Sequence, residues 1–161
     1  MTINVEDDKR RIYGVEGQVD YFFTESEWST GANFNVIKSQ TRVDGKWEKL
    51  TVDSASPSKM SAWVTWAPGD WTLRLQSTQT FDLSDEAGKQ IEGYNTVDLL
   101  GSYLLPVGKL SFSVENLLDE EYTTAWGQRA PGLYSPTYGA ANLYTYKGRG
   151  RTFGLNYSVL F

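Results

Sequence analysis

Cysteine and histidine are both absent from the 161 residues of this chain, and each absence removes chemistry. Without cysteine there is no disulfide framework, thiol nucleophile or thiolate metal site, and a cysteine-free chain suits export to an oxidising compartment. Without histidine, serine triads, zincin motifs and most transition-metal ligation are gone. No catalytic constellation remains, so neither an enzyme nor a resident cofactor is expected. Long apolar runs are also lacking. No stretch approaches the roughly 20 apolar residues of a spanning helix, and the opening MTINVEDDKR has no apolar signal-peptide core. With a net charge of −5 the chain offers no overall basic surface for nucleic acid, although Lys147, Arg149 and Arg151 cluster locally.

What is present is alternation. Period-two or strand-rich runs fall at 11–23, 28–43, 58–66, 71–81, 93–105, 109–117 and 151–161, and helical periodicity is nowhere sustained. In the last run Phe153, Leu155, Tyr157, Val159 and Phe161 share one face, opposite Thr152, Gly154, Asn156 and Ser158. Leu110, Phe112 and Val114 oppose Ser111, Ser113 and Glu115 in the same way, as do Trp71, Leu73 and Leu75 against Thr72, Arg74 and Gln76.

A soluble β-sandwich binding module would alternate too. The connections separate the readings. Those near Thr24–Glu27, Ala67–Asp70 and Pro106–Gly108 are short, and those near 44–57, 82–92 and 118–150 are long and polar. Strict alternation of short and long links is the pattern of an all-β, antiparallel up-and-down transmembrane β-barrel. Aromatics support it: Tyr21, Phe22, Phe23, Trp28, Trp66, Trp71 and Tyr103 gather at the short turns, where a membrane–water interface accommodates both ring body and polar edge. On this reading Glu16, Gln18, Asp20, Asn33, Asn35 and Arg74 line the lumen. A small structural outer-membrane barrel and the sandwich module remain the competing alternatives.

The ending GRGRTFGLNYSVLF and the upstream VENLLDEEY, with Asn116, Leu117, Asp119 and Tyr122, resemble the motifs of TonB-dependent outer-membrane receptors. GVEGQVDYFF and YNTVDLLGSYLLP are similar to strands of that family as well. The resemblance implies a siderophore-transporting barrel of about 22 strands enclosing an amino-terminal plug. It also implies location in the bacterial outer membrane, import of a ferric siderophore of the hydroxamate–citrate kind, and energy from TonB gripping an amino-terminal box. Residues 1–161 would be about seven carboxyl-terminal strands of that barrel, with plug and TonB box absent, and the isolated piece is expected neither to close nor to transport. Outer-membrane lipid, lipopolysaccharide and the outer-membrane assembly machinery are implied partners. Thr152, Gly154, Tyr157, Val159 and Phe161 match the assembly signal.

Ligand contact is expected in 119–150, the long outer segment. Its Trp126, Arg129, Tyr134, Tyr138, Tyr144 and Lys147 combine rings with positive charge, which suits an anionic ferric siderophore. Arg149 and Arg151 are expected to meet lipopolysaccharide phosphates. The acidic run Asp119–Glu121 reads as a solvated loop start. GRGRTFG precedes a strand, so it lacks the helix N-terminus of a phosphate loop.

Overall fold

The computed structural model of the protein describes residues 9–135 and 137–159. In chain order the elements are β1 (Arg10–Phe22), β2 (Trp28–Val43), β3 (Lys46–Lys49), β4 (Lys59–Trp66), β5 (Trp71–Thr80), β6 (Leu83–Ser84), β7 (Gln90–Ile91), β8 (Tyr94–Leu104), β9 (Lys109–Glu115), helix α1 (Ala125–Tyr134), a 3-10 turn (Ala141–Tyr144) and β10 (Thr152–Ser158). All seven alternating runs are strands. They join in the order β1-β2-β4-β5-β8-β9-β10, with every neighbouring pair antiparallel. The sheet is open: β1 and β10 each have one strand neighbour among the described residues.

Register shows why the sequence alternates. One row of directly opposed residues crosses all seven strands as Tyr21, Thr30, Val64, Leu75, Leu99, Val114 and Phe153. The adjacent row, pointing to the other face, reads Phe22, Ser29, Thr65, Arg74, Leu100, Ser113 and Gly154. Because side-chain direction alternates along a strand, the first row's face collects Val, Leu, Phe and Met while the second collects hydroxyls, amides and charges.

Among the described residues no second sheet covers the apolar face, which removes the sandwich alternative. Phe153 is 74% exposed, Leu155 77% and Val19 64%. Leaving a side chain of this size in water instead of an apolar phase forgoes about 1.5–3 kcal/mol. A band of them is stable only against hydrocarbon. The polar face carries its own bonds: the Ser61 and Thr78 hydroxyls are 3.1 Å apart, Arg74 Nε donates to Thr65 Oγ1 at 3.1 Å, and Gln18 Nε2 donates to Asp20 Oδ2 at 2.7 Å. Trp63 is its one large buried ring among the described residues. It lies over Gly31, where a Cβ would sit 2.6 Å from the indole, and the Arg74 guanidinium is 5.2 Å from the ring centroid.

The two rims differ as the link lengths imply. At the short-turn rim Trp28 stacks on Trp66 (5.9 Å between centroids), Trp71 tilts against Tyr103 (4.6 Å) and Tyr21 meets Phe23 edge-on (5.0 Å). β1 and β10 both run from the long-loop rim to this one.

Four elements depart from the sequence reading. β3 folds back on β2 through Asp44 and Gly45, both at positive φ (48° and 80°), as in a tight two-residue hairpin. β6 and β7 form a small hairpin of their own. Although helical periodicity is nowhere sustained, α1 occupies ten residues of the last loop. Phe161 of the expected assembly signal lies outside the described residues. Thr152, Gly154 and Tyr157 are on β10 and Val159 follows it. Tyr157 hydroxyl donates to the Val107 carbonyl in the β8–β9 turn.

Candidate ligand-binding loops

The long connections converge above one rim, and there the molecule has its dry core. Leu50, Val52, Ala55, Ile91 and Ala130 are buried, one or more from each of the three loops. Asp85 ties two of them: its carboxylate accepts from the backbone N–H of Val52 (3.1 Å), Ala87 (3.0 Å) and Lys89 (3.0 Å). Those bonds, that from Val52 foremost, hold its pKa below the usual carboxylate value. Lys89 Nζ reaches across to both oxygens of Asp53 at 2.6 and 2.8 Å. The third loop is clasped by Gln128, which accepts from Glu92 N–H (2.8 Å) and donates to the carbonyls of Glu92 (2.9 Å) and Thr123 (3.0 Å).

α1 exists because packing overrides composition. AWGQRAPGLY holds two glycines and a proline, all poor helix formers. Its start is secured by Thr124, whose hydroxyl accepts from Gly127 N–H at 3.0 Å. Gly127 is required by closeness: a Cβ there would lie 2.1 Å from the Tyr146 carbonyl oxygen.

The stem of this loop is where the two family-like motifs meet. Asn116, at φ 51°, takes Asp98 Oδ1 through its backbone N–H (2.8 Å). Its amide donates to the carbonyls of Glu120 (2.9 Å) and Arg149 (3.0 Å) and accepts from Glu120 N–H (2.9 Å). Asp119 accepts from Arg151 N–H at 2.7 Å, and Arg151 Nε donates to the Leu117 carbonyl at 2.9 Å. Tyr122 stacks on Tyr94 at 4.3 Å and covers Gly148, where a Cβ would be 2.1 Å from its ring. Burial, then the neighbouring Tyr94, Asp98 and Glu115, raises the Tyr122 pKa. The run Asp119–Glu121 is exposed, as a solvated loop start should be, and Asp119 also anchors the stem.

Of the predicted ligand residues, the four rings come together. Tyr134 is the hub, with Trp126 at 6.2 Å, Tyr138 at 6.2 Å and Tyr144 at 5.4 Å between centroids. Tyr144 hydroxyl donates to the Tyr138 carbonyl, closing the cluster. Trp126 is 48% and Tyr138 71% exposed, so the cluster presents ring surface outward. The two cations stand apart from it. Arg129 is half-buried: it donates through Nη2 to the Ala55 carbonyl, and burial lowers its pKa against the opposing pull of Asp53. Lys147 pairs loosely with Glu121 at 3.4 Å, and both side chains are exposed. Sequence reasoning missed Asp53, Asp85, Lys89 and Gln128, which brace the loops; the turn sequence DEAGK around Asp85 was the available signal.

An open antiparallel wall with one oily and one polar face, an aromatic rim and braced outer loops defines a segment of an outer-membrane barrel. The TonB dependent receptor-like, beta-barrel family matches residues 1–117, and the chain belongs to that family. It is 66% identical over its whole length to the ferric aerobactin receptors of Escherichia coli and of Klebsiella pneumoniae, and 33% identical to the rhizobactin receptor of Rhizobium meliloti (strain 1021). The chain spans 22% of the length of each of these relatives. Among solved structures, the copper transporter OprC superposes with a TM-score of 0.65 at 22% identity, over 89% of this chain and 22% of that one. That likeness concerns the fold alone. The bacterial outer membrane is the location these findings give.

Proposed function

We propose that this chain forms part of a receptor that binds a ferric siderophore of the aerobactin-like hydroxamate kind at the cell surface and imports it with TonB-derived energy. The plug and TonB box are supplied outside residues 1–161, and the chain by itself neither transports nor catalyses. The observation that carries this reading is the ring cluster centred on Tyr134, held up by a three-loop core. Rigid aromatic surface binds a bulky chelate with little ordering cost. Lys147 supplies exposed positive charge nearby in sequence, and Arg129 sets the floor beneath the helix. Iron stays within the siderophore, so the missing histidine and cysteine are no obstacle. The wall contacts outer-membrane lipid, and assembly proceeds through the outer-membrane assembly machinery reading β10.

The test uses an intact receptor carrying this segment. Tyr134→Ala is expected to weaken ferric-siderophore binding about tenfold, in line with loss of an interface anchor. Unchanged affinity in titrations of the purified, folded receptor would remove the proposal.

A further inference from the structure

Helix α1 carries two rings of the cluster, Trp126 and Tyr134, but its own propensity does not hold it in place, so the groups that fix its position matter to the site. Two side chains tie it to the other long loops. Arg129 gives one bond, from Nη2 to the Ala55 carbonyl, and its buried Nε has no partner, which offsets much of what that bond contributes. Gln128 gives three. Its Oε1 accepts from Glu92 N–H (2.8 Å), while Nε2 donates to the Glu92 carbonyl (2.9 Å) and to that of Thr123 (3.0 Å), the residue before the helix N-cap. Exchanging both bonds with one main-chain residue is what a strand neighbour does, and Glu92 directly follows β7, so the carboxamide adds a rung to the β6–β7 hairpin. Only a carboxamide offers an acceptor and two donors there: a carboxylate has no hydrogen to give, and a lysine no lone pair. Two residues along a helix is about 200° of turn, so these bonds lie on the side of α1 away from Trp126.

We infer that Gln128 is a positioning residue for ligand binding: by pinning the start of α1 to the β6–β7 hairpin it sets the rotation of the helix, and so the angle at which Trp126 and Tyr134 are presented. This rests on the ring cluster being the binding surface. Ala130 is fully buried and keeps the helix docked on the dry core, but a methyl group makes no directional bond and leaves rotation open. A ring surface that spends part of its time turned away loses affinity by that fraction. Around the carboxamide stand Glu92, Tyr94, Glu120, Glu121, Tyr122 and Lys147, lining one cavity with it. Three carboxylates against one ammonium make that cavity a poor place for a further negative charge, and an uncharged side chain that both donates and accepts suits it.

The test titrates purified intact receptor carrying this segment with ferric aerobactin as the probe, in parent, Gln128→Met, Gln128→Glu and Tyr134→Ala forms. Gln128→Met keeps length and helix propensity but removes all three bonds, and is expected to bind about tenfold more weakly at every pH. Gln128→Glu is expected to show the same deficit at about pH 7.5, where a carboxylate would face two carbonyl oxygens, and only about a threefold deficit at about pH 5. The protonated carboxyl regains one donor, and Glu92, Glu120 and Glu121 hold its pKa up. Each form is read as a ratio to the parent at the same pH, which removes the titrations of the neighbours common to all. Hydrogen exchange around Val52 and Ile91 should stay at the parent level, which separates positioning of the helix from bracing of the whole loop core. Heat-modified gel mobility verifies folding; should Gln128→Glu fail, Gln128→Met carries the comparison. A folded Gln128→Met receptor that binds like the parent, a Gln128→Glu deficit that does not change with pH, or lost protection at Val52 and Ile91 would each overturn the assignment. If Tyr134→Ala also binds like the parent, the ring-cluster reading falls with it; if Tyr134→Ala weakens binding, only the role of Gln128 falls.

Discussion

The strands and the loops of this molecule bury opposite things. In the loops, Val52, Ile91 and Ala130 are excluded from solvent and charges such as Lys89–Asp53 lie outside them, the arrangement of an ordinary soluble core. In the wall, Leu75, Val64 and Phe153 face outward and Arg74, Asp98 and Thr78 face the lumen. One chain thus carries two solvents' worth of patterning, and the boundary between them is the end of the strands.

That contrast can be broken most severely from outside. Leu75→Arg, in the middle of the oily band, is expected to destabilise a folded receptor by about 2–4 kcal/mol, while the neighbouring Gln76→Arg on the lumen face costs little. Denaturant unfolding in lipid vesicles reads the difference, and equal effects would contradict the facing. Inside the loop core, Ile91→Val is expected to cost about 1 kcal/mol. The loss should appear as faster hydrogen exchange in all three loops, with the strands unaffected. Smallest is a pH effect. Because Asp85 has its folded pKa depressed, its contribution is complete above the ordinary carboxylate range and fades as pH falls through the lower folded value. Loop protection in hydrogen exchange should therefore persist to about pH 4 and decline below it, and Asp85→Asn should abolish that decline.

Legibility followed the same divide. All seven spanning strands could be read because hydrocarbon imposes strict alternation on every one of them, and the aromatic rim because rings gather where the turns are short. The loops gave weaker signals. β3 sat behind an Asp44–Gly45 turn in a polar stretch, and α1 was hidden by Gly127, Pro131 and Gly132, whose low helix propensity is overruled by the fit of Gly127 against Tyr146. Ring types in 119–150 suggested the Tyr134 cluster. No pattern told Arg129 apart as a brace, since half-burial under a loop is decided by contacts distant in sequence.

The shared direction of β1 and β10 has an arithmetic consequence. Seven crossings leave both free edges pointing the same way, so any antiparallel stretch that bridges them must itself cross the membrane an odd number of times. Two copies side by side, both upright, would meet edge to edge in parallel and could not make the hydrogen-bond ladder used everywhere else in the wall. Chimaeras between relatives should accordingly tolerate exchange of this piece only for another odd-numbered cassette, and reject one longer or shorter by a single strand.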